Sequence, residues 1–177
     1  MHPFVLPYCE WLQRTPIGIF MRQSDWAFPT VAALHILGYV PLIACTSMFG
    51  VRLAGWAFRD VPVSKLAGGL LPWSVAGFVV EVVTGTLLFC SSAATYAETN
   101  IFPVKLLLIL LAGINALVFL RTSYRRVAAW DTAPMPPFGA RVAGCLSIVL
   151  WVAVLVMGRV LNTAAALVTV ASNLLGR

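Results

Sequence analysis

Residues 26–50 read WAFPTVAALHILGYVPLIACTSMFG and contain no Asp, Glu, Lys or Arg. At ~1.5 Å per residue, a helix of this length crosses a hydrocarbon core of ~30 Å. Asp25 can cap its start, Pro29 suits a first helical turn and Trp26 suits a membrane interface. One ionisable ring stands inside the stretch, His35. An ionisable group at membrane depth is a functional-site hypothesis by default. Gly38 follows almost one turn later on nearly the same face, and its missing side chain leaves room for something flat beside the imidazole.

The rest of the chain agrees with a membrane protein. Of its 177 residues, 60% are hydrophobic and only 10% charged, too apolar for an ordinary soluble domain. The net charge of +6 is concentrated in short loops between apolar segments, where membrane topology explains it without nucleic acid. No hydrolase, kinase or dinucleotide-binding motif is present, and Gly68-Gly69 inside an apolar segment is no phosphate loop. Cys9, Cys45, Cys90 and Cys145 show no metal-ligand spacing and read as small hydrophobes. The start, MHPFVLPYCEW, lacks the layout of a signal peptide, so the first span is expected to serve as its own insertion signal.

Four spans are predicted, over residues 27–50, 66–90, 101–120 and 142–161, in a single transmembrane domain covering 1–177. The fold class is therefore all-α, a polytopic four-helix bundle, preceded by a short helix on the membrane surface. Pro16 ends any continuous helix in that lead-in, and Pro41 predicts a kink in the first span. Pro103 fits the first turn of the third span, which Thr99 or Asn100 can cap. The connection SSAATYAETN (91–100) reads as a polar loop, and the prolines near residue 135 predict non-helical chain. The tail after residue 161 reads as a surface helix or a continuation of the fourth span. Arg52, Arg59, Lys65, Arg121, Arg125, Arg126 and Arg141 fall on one side, which the positive-inside rule makes cytoplasmic. Both termini then face outward from a bacterial inner membrane.

Threading the chain this way puts His35 about 12 Å and Glu81 about 13 Å from the outer surface. Lys105 and Arg159 sit near the outer ends of their spans. Each has a bland reading: an interhelical hydrogen bond for His35, snorkelling for Lys105 and Arg159, a packing pair with Lys105 for Glu81. The functional readings use the same residues. Neutral imidazole is a good axial ligand for haem iron, so His35 is the candidate metal ligand of a b-type haem. Gly38 would admit the ring edge, and Lys105 and Arg159 would pair with the propionates. Alternatively Glu81 and His35 form a short proton relay or a quinone-head site. The only other histidine, His2, lies outside the spans, which leaves no second histidine ligand within one chain.

The segments SDWAFPTVAALHILGYV, VRLAGWAFRDVPVSKLAGGLLPWSVAGF, VVTGTLLF, TYAETNIFPVKLLLILLAGINALVF and SIVLWVAVLVMGR resemble a bacterial family of four-span membrane proteins to which no activity is assigned. More distantly, the layout is similar to HemJ-type protoporphyrinogen oxidases and CopD copper-resistance membrane proteins. In the HemJ type, a Leu-His pair and a lysine opening a later helix are tied to haem and activity. That resemblance implies the same roles for Leu34-His35 and Lys105 here. The leading expectation is thus a membrane redox protein holding haem b, for electron transfer or oxidation of a quinol or tetrapyrrole. A haem shared across a homo-oligomer would supply further ligands. The other expectations are a non-catalytic membrane anchor for a periplasmic redox or metal-handling partner, and a copper-related transporter.

The expected orientation is checked by labelling engineered cysteines in intact cells. Ser92→Cys should react with an impermeant thiol reagent from outside, and Ala129→Cys should not. The opposite pattern reverses the topology.

Overall fold

Helix breakers and hydrogen-bonding side chains set the limits of the helices. In the computed structural model, which describes residues 6–97 and 99–174, there are six α-helices, one 3-10 segment and, among the described residues, no strand. The N-terminal lead-in is two helices rather than one, α1 (Leu6–Gln13) and α2 (Pro16–Gln23). Thr15 separates them: its hydroxyl donates to Leu12 O at 2.6 Å and accepts from Gly18 N at 3.3 Å, with Pro16 at the first helical position.

Four long helices follow: α3 (Ala27–Ala54), α4 (Val63–Ala97), α5 (Ile101–Arg121) and α6 (Phe138–Leu174). Each contains a window long and apolar enough to cross a membrane, and the chain is an all-α four-helix membrane bundle. Leu34, Ile36, Leu37 and Val40 of α3 are exposed, as are Leu106, Leu107, Leu110 and Ile114 of α5. Such an apolar exterior suits hydrocarbon, in which the helical backbone satisfies its own hydrogen bonds.

Two boundaries differ from expectation. Residues 91–97, read as polar loop, continue α4, with a local break at Ser92 (φ −135°, ψ 27°). Ser91 donates to Leu88 O at 2.7 Å and Thr99 to Tyr96 O at 2.9 Å, so these hydroxyls stay on the helix end instead of leaving it. The tail is not a separate surface helix, because α6 runs on to Leu174. His2, Glu98 and Arg177 lie outside the described residues.

By contacts the chain divides into two compact units that both draw on all four long helices. The first comprises Met1–Leu37, Val80–Leu106 and Leu155–Arg177; the second comprises Gly38–Val79 and Leu107–Val154.

In the second unit, glycines permit close helix approach. A Cβ on Gly144 would lie 2.6 Å from Gly50 O, and one on Gly77 would lie 2.7 Å from Gly38 O. Around these crossings pack Phe49, Leu53, Val63 and Phe119 in one cluster and Leu42, Ala112, Leu150 and Val154 in another. The end of α3 is a Schellman cap: Gly55 (φ 75°) donates to Arg52 O and Trp56 to Val51 O, both at 3.1 Å. The start of α4 is capped from another loop. Asp131 accepts from Ser64 N at 2.7 Å and from Ser64 Oγ at 2.6 Å. These bonds from Ser64 hold the Asp131 carboxyl below the usual carboxylate range.

Arg52, read from sequence as one more basic loop residue, is fully buried. Its Nε donates to Val61 O at 2.8 Å and its Nη2 to Ala133 O at 3.1 Å and Asp131 O at 3.4 Å, which ties the two loops together. Replacing it removes the charged donor from all three carbonyls, of which Asp131 O keeps the Val63 N–H at 3.1 Å. Arg52→Met should lower unfolding stability in detergent by about 3 kcal/mol, the scale of lost charge-assisted hydrogen bonds. The exposed Arg125→Met should change it by no more than about 0.5 kcal/mol, and equal losses in the two variants would contradict the tethering role.

Candidate functional site

The polar groups of the first unit converge on one histidine. On α4, Glu81, Thr84 and Gly85 lie three and four residues apart and share a face. That face meets His35 of α3. His35 Nδ1 is 2.8 Å from Thr84 Oγ1, and His35 Nε2 is 3.2 Å from Glu81 Oε2. A Cβ on Gly85 would lie 3.1 Å from His35 Cε1, so Gly85 makes the space in which the ring stands.

The Thr84 hydroxyl lies within hydrogen-bonding distance of Val80 O, at 2.6 Å, as well as of His35 Nδ1. Its single hydrogen can go to either, so the Thr84 hydroxyl and the His35 tautomer are linked. With either ring nitrogen carrying hydrogen, His35 Nε2 and Glu81 Oε2 bracket one proton, held on the imidazole or on the carboxyl. The Glu81 side chain is 9% exposed and that of His35 21%. The other carboxyl oxygen of the pair, Glu81 Oε1, is buried with no hydrogen-bond partner.

Lys105 of α5 is the charge nearest this pair, acting electrostatically on both members. Its ammonium points to α6, 3.6 Å from where a Cβ on Gly158 would be. The ion pair expected between Glu81 and Lys105 does not form within 4.0 Å; Glu81 takes His35 instead, because α3 presents the imidazole directly to the Glu81 face. Above the pair in the same unit, the rings of Phe89 and Phe102 stack at 4.6 Å, with Tyr96 nearly parallel to both.

The other sequence candidates stand apart. Arg159 is exposed and, among the described residues, makes no ion pair. Gly38 is buried in the second unit, where its carbonyl lies against Gly77. The glycine beside the imidazole is Gly85. Thr84 holds the ring through Nδ1, and Gly158 lies against the Lys105 ammonium. The one signal for Thr84 and Gly85 in the sequence is their spacing from Glu81.

Haem ligation by His35 requires a ring nitrogen with a free lone pair. Here Nδ1 is engaged by Thr84 and Nε2 by Glu81, so an iron atom on either nitrogen would have to displace one of these contacts. No group of three or more His, Cys, Asp or Glu side chains placed to hold a metal ion occurs among the described residues. No protein-family model, no curated protein and no solved structure matches the chain.

A double-mutant cycle measures the pair. Glu81→Leu and His35→Phe each leave one polar group buried without its partner, whereas the double variant removes both. The double variant should be more stable than the sum of the single losses predicts, by about 0.5–3 kcal/mol in thermal unfolding of detergent-solubilised protein. Additive losses would mean that the two side chains do not interact.

Proposed function

We propose that this integral membrane protein exchanges protons at the His35–Glu81 pair, and that the pair serves a redox or transport reaction carried out in the membrane. The single observation that carries the reading is the contact of the buried Glu81 carboxyl with the His35 imidazole, whose other nitrogen is engaged by Thr84. A group with one proton shared between two bases gives up or accepts a proton with little movement of heavy atoms. Burial of both bases ties that transfer to a change of charge inside the bundle, which is how protons are coupled to other chemistry in membranes. Lys105 brings a basic group into the same unit, suited to offsetting an anionic form of the pair.

A quinol fits this reading as the redox substrate, since it dissolves in lipid and releases protons when oxidised. The reading places the chain in a bacterial inner membrane, with the His35 end of the bundle outward on the positive-inside argument. A b-type haem on His35 would need the imidazole to leave Glu81 or Thr84.

Infrared difference spectroscopy of reconstituted protein after a pH step tests the proposal. A protonated-carboxyl stretching band should appear in the wild type and be absent from Glu81→Gln. Thr84→Val, which removes the hydroxyl at Nδ1, should shift that band while leaving the protein folded. Absence of any band assignable to Glu81 would reject the proposal. So would a Soret absorption that depends on His35, because the imidazole would then be bound to iron.

A further inference from the structure

A polar cavity of about 640 Å³ opens in the first unit, between the N-terminal helices, the start of α3 and the end of α4. Gln13, Arg22, Asp25, Phe28, Ser91 and Ser92 are among its walls. Two of them are locked by hydrogen bonds: Arg22 Nη2 donates to Gln13 O at 2.6 Å, and Gln13 Nε2 donates to Ser91 O at 3.4 Å. Asp25, on the same wall as Arg22, makes no ion pair within 4.0 Å among the described residues.

The cavity is in register with the buried pair. Phe28 and His35 are two helical turns apart on α3, and Ser91 and Thr84 are two turns apart on α4. Both separations amount to about 10 Å along the helix axis. The cavity thus lies over the same two helix faces that hold His35 and Glu81. The α4 residue between is Leu88, half-buried, whose carbonyl takes the Ser91 hydroxyl at 2.7 Å. At Ser92 the α4 backbone leaves helical geometry, which opens the helix end at the cavity wall. Below, Glu81 Oε1 is buried and unpartnered, a carboxyl oxygen able to receive a proton.

We infer that this cavity is the aqueous port of the His35–Glu81 pair, through which water and protons reach Glu81 from the side bearing α1 and α2. The inference rests on the proton-exchange reading above. The charged groups facing Glu81 are His35 of α3 and Lys105 of α5; α6 turns Gly158 toward Lys105, and its Arg159 is exposed. Asp25 would collect protons at the mouth. They would cross the two turns past Leu88 on water, and the pair would hold them.

The test is the rate at which the Glu81 carboxyl band shifts when reconstituted full-length protein is moved into D₂O. Ser92→Leu narrows the port and should slow the shift at least about tenfold, equivalent to about 1.4 kcal/mol of added barrier. Thr122→Leu, the same kind of change on an exposed α5 end in the other unit, should leave it unchanged. Asp25→Asn adds no bulk and keeps the inference testable if Ser92→Leu does not fold. It should slow proton uptake after a pH jump in weak buffer, and a small diffusible buffer such as imidazole should restore it. A Glu81 band that exchanges at the wild-type rate in every folded cavity variant overturns the port and leaves the proton-exchange site standing. Absence of the band in wild-type protein rejects the site, and the port with it.

Discussion

Hydrocarbon offers no hydrogen bonds, so every polar group within a span must find its partner inside the protein. Most do so locally. The hydroxyls of Thr46, Ser74, Thr84, Thr86 and Thr122 each return to a carbonyl one turn back on their own helix. Asn115, deeper and unable to satisfy itself this way, donates across to Ala143 O at 3.0 Å. Arg52 meets the same demand at a helix end by collecting loop carbonyls. Two buried atoms among the described residues have no partner, Arg52 Nη1 at the helix end and Glu81 Oε1, and of these only Glu81 lies deep within a span, with its other oxygen on His35. A group that escapes a rule obeyed by its neighbours is where function is to be sought.

Close helix approach is the second half of the construction. Without a solvent difference to press helices together, contact depends on shape, and glycine allows backbones to meet. Gly50 against Gly144, and Gly77 against Gly38, bring helix backbones together in the second unit. In the first unit Gly18 does the same, a Cβ there lying 3.0 Å from Cys90 O, while Gly85 accommodates the imidazole. Small residues thus close the packing in both units and in the first also make space for an ionisable ring.

The Thr84 hydroxyl links structure to chemistry. It contacts both Val80 O and the imidazole nitrogen that does not face Glu81, so it holds the ring with Nε2 toward the carboxyl. A change as small as Thr84→Val alters the acid–base pair without touching either of its members.

The sequence by itself determined the four apolar spans, since length and lack of charge suffice to require a helix in lipid. It also singled out His35, Glu81 and Lys105, because ionisable residues are conspicuous where hydrophobic ones are expected. It misjudged residues 91–97, whose polar composition looks like a loop while their hydroxyls in fact bond back along the helix. Only the tertiary structure decided that Glu81 meets His35 rather than Lys105, that Gly85 rather than Gly38 stands beside the imidazole, and that Arg52 is buried. Those choices depend on the rotation of one helix about its axis relative to the next. Hydropathy fixes where a helix lies along the membrane normal, but in a span that is apolar all round it does not fix which face turns inward.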